Sequence, residues 1–115
     1  MKPLYVAKAE FFRSLGHPAR IRVLELLSER PYAVHELLED TGLEPSNLSH
    51  QLAVLRRSGL IVQERRDGQV FYSLAAPEVA ELLRSARIVL LDVLNENVEL
   101  RHDLAAPLAG GAGAR

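Results

Sequence analysis

The hydrophobic period of this 115-residue chain switches at Gly59, and that switch restricts its fold more than any other feature. Upstream, the segment from Pro45 to Ser58 places Leu48, Leu52 and Leu55 at i, i+4 and i+7, one inward stripe of a helix. Pro45 suits a first helical position, and Gly59, following Arg56 and Arg57, suits a helix stop. Downstream, Leu60 to Arg66 and Gln69 to Leu74 are rich in β-formers and flank Asp67-Gly68, a dipeptide that favours a tight hairpin turn. The expected fold is therefore mainly α with a small β-hairpin.

The outer face of the helix before Gly59 is polar in a particular way. Ser46, Asn47, Ser49, His50 and Gln51 crowd its first turns, and these side chains carry both donors and acceptors, the chemistry that reads base edges in a DNA major groove. Ahead of them, Val34 to Leu43 reads as a shorter helix ending in a turn at Gly42, and two helices joined this way form a helix-turn-helix. The hairpin that follows is placed as a wing, with Arg65 and Arg66 beside its turn to reach phosphate or the minor groove. Taken alone, those arginines would serve equally well to keep an edge strand soluble. Their position directly after the helix pair favours the wing.

The flanking segments complete a winged helix-turn-helix in the order α-α-α-α-β-β-α. Tyr5 to Leu15 reads as a helix with Val6, Ala9, Phe12 and Leu15 along an apolar stripe, ended by Gly16-His17. His17 is read as a cap or a packing residue at that junction. Pro18 opens a second helix to Ser28, with Ile21, Val23, Leu24 and Leu27 inward and Arg20 and Arg22 outward, and Arg30-Pro31 breaks it. A last helix runs from Pro77 to about Leu100, carrying Val79, Leu82, Leu83, Ala86, Val89, Leu90, Val93 and Leu94. About 24 helical residues span about 36 Å, which would project beyond a domain of this size, so a partner chain is expected to cover the broad stripe. Residues 1–104 form the domain, and 105–115, an Ala/Gly/Pro run, are expected to be a disordered tail.

Composition removes several alternatives. There is no cysteine, hence no disulfide framework, thiolate metal site or thiol switch, and any metal must use nitrogen and oxygen donors. No apolar run reaches the roughly 18 residues of a membrane span and Met1-Lys2-Pro3-Leu4-Tyr5 lacks a signal-peptide core, so the expected location is cytoplasmic. A net charge of −1 is unlike the strongly basic balance of a generic nucleic-acid binder, although the arginines group at Arg56, Arg57, Arg65 and Arg66 and the late acids at Asp92, Glu96, Glu99 and Asp103. An enzyme is not expected: adjacent helical residues such as Ser49 and His50 point about 100° apart and form no nucleophile–base pair. A phosphate-binding glycine loop and paired zinc histidines are also missing from the sequence.

Three segments, in order, resemble the ArsR/SmtB family of bacterial winged-helix transcriptional regulators. Leu15-Gly16-His17-Pro18-Ala19-Arg20-Ile21-Arg22-Val23-Leu24 is similar to the family's approach to its second helix. The run from Ser49-His50-Gln51-Leu52 to Gly59-Leu60 is similar to its recognition helix, and Arg65-Arg66-Asp67-Gly68-Gln69-Val70-Phe71-Tyr72-Ser73-Leu74 to its wing. The resemblance implies a homodimer joined through the first and last helices, each subunit reading half of a roughly palindromic operator. It also directs attention to metal sensing, where this chain departs from the family's patterns. A Cys-x-Cys opening the third helix is replaced by Ala33-Val34-His35, and an Asp-x-His on the last helix by Asp92-Val93-Leu94.

Two readings of the remaining donors stand together. His35 and Glu39 of the third helix, with Asp92, Glu96, Glu99 and His102 of the last, supply imidazole and carboxylate at helical spacing, a set suited to Ni²⁺, with Zn²⁺ or Co²⁺ as alternatives. The same residues also describe an acidic, solvated helix face. The functional expectation is a sequence-specific, DNA-binding transcriptional regulator, homodimeric and metal-responsive, for which no cofactor is required by the fold. Its alternatives are a regulator without metal sensing and a protein-interaction module that has lost autonomous DNA binding. An additional regulatory protein is a further partner to consider.

Overall fold

The computed structural model describes residues 1–105, with side chains for 1–97 and 102. The chain divides into two units, residues 1–81 and 82–115. The first contains α1 (Leu4–Leu15), α2 (Pro18–Leu27), β1 (Tyr32–Ala33), α3 (Val34–Thr41), α4 (Pro45–Arg57), β2 (Ile61–Arg66) and β3 (Gln69–Leu74). The last helix, α5 (Pro77–Ala105), begins in this unit and supplies the described part of the second. Of the expected tail, only Ala105 is described, as the end of α5; the rest lies outside the described residues.

Apolar side chains from α2, α3 and α4 make the core. Val23, Leu24, Leu37, Leu48 and Leu55 are all at or below 1 % exposure, with Leu26, Leu27, Leu52, Leu60 and Ile61 around them. Leu26 takes an inward place and Ile21 is only half-buried, a shift of the α2 stripe from the expected one. Each helix end has a local cause. His17 caps α2, its Nδ1 accepting the Ala19 N–H at 3.1 Å, while Pro18 occupies the first turn. Glu36 reaches back from the first turn of α3 to accept the Ala33 N–H at 2.9 Å. Gly42, at φ 70°, ends α3 by donating to the Leu38 carbonyl.

The sheet differs from the expected hairpin by one strand. Tyr32 and Ala33 pair with Tyr72 and Phe71, giving a three-stranded antiparallel sheet in the order β1-β3-β2. β2 and β3 pair from Ile61↔Leu74 to Arg66↔Gln69 across Asp67-Gly68, both at positive φ (47° and 78°), the backbone of a type I′ turn.

On α1 the stripe from Val6 to Leu15 is only partly covered by the described residues. Leu15 is buried, but Phe12 is 54 % exposed, and Leu4 and Tyr5 are exposed too. In the second unit Ile88, Val89, Leu90, Leu91, Val93 and Leu94 are all exposed. Large apolar groups so concentrated are uncommon on a protein surface that meets only water. None of the described helices is long and apolar enough to cross a membrane.

Candidate nucleic-acid interface

α4 is the second helix of the helix-turn-helix, and its N-terminal turns carry the candidate site. Ser46, Asn47, Ser49 and His50 are exposed there, as the polar face requires. Gln51 is not: it is 3 % exposed and is the one buried polar residue among those described. The expectation that Gln51 faces outward is thus corrected. The geometry of the wheel explains it, because Gln51 lies three residues after Leu48 and four before Leu55, on the stripe those leucines define.

A buried amide needs partners, and Gln51 has two. Its Oε1 accepts from Arg20 Nη1 at 3.0 Å, and its Nε2 donates to Asn47 Oδ1 at 3.0 Å. Arg20, expected to face solvent, instead lies half-buried between α1 and α4, its Nε donating to the Ser14 carbonyl at 2.7 Å. Ser58 Oγ meets Ser14 Oγ at 3.1 Å. Recognition helix, second helix and the end of α1 are joined through these polar bonds as well as through the leucine core.

The far end of α4 stops in a glycine-dependent turn. Gly59 sits at φ 77°, its N–H donating to Arg56 O at 3.0 Å while the Leu60 N–H reaches Leu55 O at 3.0 Å, the paired bonds of a Schellman motif. Arg56 and Arg57 remain exposed and border an open groove with Ile61, Val62 and Gln63 of β2. On the wing, Arg65 is exposed and Nη1 lies 3.4 Å from the Gly68 carbonyl, whereas Arg66 pairs with Glu64 at 2.7 Å. Gln69, next to the turn of the wing, meets His35 Nδ1 at 3.4 Å.

A second polar cluster sits at the start of α3. Arg30 lies 3.8 Å from the centre of the Tyr32 ring and 3.2 Å from Glu36. The Ala33 N–H, and then Arg30, hold the Glu36 carboxyl below its ordinary range.

The residues considered for a metal are divided between α3 and α5. His35 and Glu39 lie exposed on α3 in the first unit, Asp92, Glu96 and His102 on α5 in the second, and the Glu99 side chain is outside the described residues. Among the described residues no three His, Asp or Glu side chains gather as a metal centre would require.

A helix-turn-helix followed by an arginine-bearing β-hairpin defines a winged-helix DNA-binding protein. Residues 17–62 match the family model described as bacterial regulatory protein, arsR family. The chain is 57 % identical over 106 residues to the HTH-type transcriptional regulator Rv0081 of Mycobacterium tuberculosis, covering 91 % of this chain and 93 % of that one. The crystal structure of Rv0081 superposes with a TM-score of 0.80, covering 85 % of this chain and 99 % of that chain. The HTH-type transcriptional regulator NmtR of M. tuberculosis is 41 % identical over 78 residues, 68 % of this chain and 65 % of that protein. The homodimeric winged helix-turn-helix DNA-binding domain of Mb0332 from Mycobacterium bovis, solved by NMR, is 26 % identical with a TM-score of 0.74 and coverage of 81 % and 86 %. The chain belongs to the ArsR/SmtB family of bacterial transcriptional regulators.

Proposed function

We propose that the protein is a homodimeric, operator-specific repressor or activator that reads a half-site with each α4 and grips the flanking backbone with each wing. The observation that carries this reading is the exposed quartet Ser46, Asn47, Ser49 and His50 on a helix whose opposite face is locked into the core by Leu48, Leu52 and Leu55. Arg56, Arg57, Arg65 and Arg66 are its phosphate or groove contacts. The exposed apolar groups of α1 and α5 support a second copy as the partner, in keeping with the homodimeric Mb0332 domain. Fluorescence anisotropy on a duplex selected from a random pool, with sedimentation at the same concentrations, tests both parts. A monomer, or equal affinity for selected and scrambled duplexes, refutes it and favours a protein-interaction module.

The effector in this proposal is a divalent transition metal, nickel first, with zinc and cobalt as alternatives. Support comes from two helical donor pairs, His35 with Glu39 and Asp92 with Glu96, and from the lack of any thiolate, which leaves a nitrogen and oxygen set. Glu99 and His102 belong to the same proposed set. Ligands would be drawn from both protomers. Metal and operator must then change each other's affinity by the same factor, about 5- to 150-fold in typical coupled systems. Titration of Ni²⁺, Zn²⁺ and Co²⁺ into free and DNA-bound protein measures that factor; His35→Ala or His102→Ala should abolish it. No metal effect on operator affinity would leave a regulator of another input.

A further inference from the structure

We infer that Gln51 is a positioning residue that sets which end of the Asn47 amide faces DNA, making Asn47 a reader of keto bases. The inference rests on the DNA-reading role proposed above. It follows from a chain of bonds whose direction is fixed by chemistry. A guanidinium has only donors, so the Gln51 atom 3.0 Å from Arg20 Nη1 must be the oxygen. The other arm of the Gln51 amide is then its NH₂ group, a donor, and the Asn47 atom 3.0 Å from it must be Oδ1. Arg20 is itself held by the Ser14 carbonyl at 2.7 Å, and Gln51 is 3 % exposed, so water is largely kept from the Gln51 amide that orients the relay. Asn47 lies on the exposed face, and its Nδ2 has no hydrogen-bond partner among the described residues.

The consequence lies in the major groove. Guanine presents O6 and N7 and thymine presents O4, all acceptors, whereas cytosine presents the N4 amino group and adenine N6 beside N7. An asparagine that clasps adenine uses both arms, accepting from N6 and donating to N7. Here Oδ1 gives one of its two lone pairs to Gln51, which turns that end of the amide toward the buried relay and leaves Nδ2 as the arm offered; at adenine it would reach N7 and leave N6 unmet. Asn47 is therefore best matched to guanine or thymine at one position of each half-site, ahead of adenine, where N6 would go unmet, and of cytosine, which presents no acceptor there.

Two substitutions should reverse that polarity. In Gln51→Glu both carboxylate oxygens accept; one takes Arg20, and the other recruits Asn47 Nδ2, turning Oδ1 toward the duplex. In Asn47→Asp the change is made at the exposed residue, leaving the buried network intact. One oxygen accepts from Gln51 Nε2 and the other faces out as an acceptor. Selection from a randomised duplex pool, sequenced for the parent, Gln51→Glu, Asn47→Asp and Asn47→Ala, tests this, with a thermal melt of each variant. Expected is one position per half-site enriched about tenfold for guanine or thymine in the parent, the scale of one good base contact. That position should become indifferent in Asn47→Ala and shift to adenine or cytosine in Asn47→Asp and in folded Gln51→Glu. Adenine preference at the Asn47-dependent position in the parent overturns the inference, as does an unchanged preference in Asn47→Asp. A parent that enriches no sequence at all removes the DNA-reading role itself, which separates that failure from failure of the relay.

Discussion

Replacing Arg20 by Met should destabilise the protein by about 2–4 kcal/mol while keeping most of the aliphatic stem in place. The figure is built from the two bonds that Arg20 makes, to Ser14 O at 2.7 Å and Gln51 Oε1 at 3.0 Å. Bonds to a charged partner contribute about 1.5–3 kcal/mol, and a buried acceptor left without any partner costs about 1–3 kcal/mol. The Ser14 carbonyl lies in a half-buried residue at the end of α1 and recovers part of its loss from water; Gln51 Oε1, in a residue 3 % exposed, does not. Arg22 is the control. Its ion pair with Glu25 is 3.6 Å long between side chains 52 % and 54 % exposed, so Arg22→Met should cost no more than about 0.5 kcal/mol. Urea unfolding at one fixed protein concentration measures both, the concentration being held because self-association shifts apparent stability. Adding Gln51→Leu to Arg20→Met removes the orphaned group, so the two losses should fall short of additive by about 1–2 kcal/mol. Equal costs at Arg20 and Arg22, or strictly additive losses at Arg20 and Gln51, would refute the relay as a structural element.

Leu55, fully buried between α4 and the rest of the core, should lose about 2–5 kcal/mol on change to Ala, read as a lower urea midpoint with an unchanged slope. Glu36 titrates below its unfolded value, so its stabilisation is present above the unfolded pKa and disappears as pH falls through the folded one. The stability gap between parent and Glu36→Gln should therefore be full at pH 7 and close on acidification below the ordinary carboxylate range. Unfolding curves across that range check the sign. Arg65→Ala should lower the salt slope of DNA binding by about 1, and Glu64→Gln, by releasing Arg66 from its 2.7 Å pair, should tighten binding at low salt. Anisotropy titrations at several salt concentrations give both.

What could be read from the chain depended on the length and kind of each signal. The Pro45–Arg57 helix and the Asp67-Gly68 turn carry strong local chemistry, a leucine stripe with a glycine stop and two residues tolerant of positive φ, and both stand where expected. Two residues, Tyr32 and Ala33, have no period to display; they are a strand because Tyr72 and Phe71 lie opposite, a tertiary fact. Gln51 was legible in principle. Its spacing from Leu48 and Leu55 places it inward, but amide polarity pointed the other way, and the deciding partner, Arg20, is 31 residues distant. On α1, Phe12 follows the stripe yet stays exposed, because a helical period shows which face is apolar and not what covers it. For the metal donors, spacing along each helix could be read, whereas the distance between helices could not.

Leu60 holds the end of the recognition helix and the root of the wing in one stitch, its N–H bonded to Leu55 O and its carbonyl taking the Ala75 N–H, both at 3.0 Å. The side chain is 2 % exposed, so the joint is dry as well as bonded. In the proposed complex, helix and hairpin are tied at this joint like the arms of a caliper, and a duplex meeting both is expected to do the adapting. Base steps lying between the two arms, touched by neither, should be selected for how readily they flex.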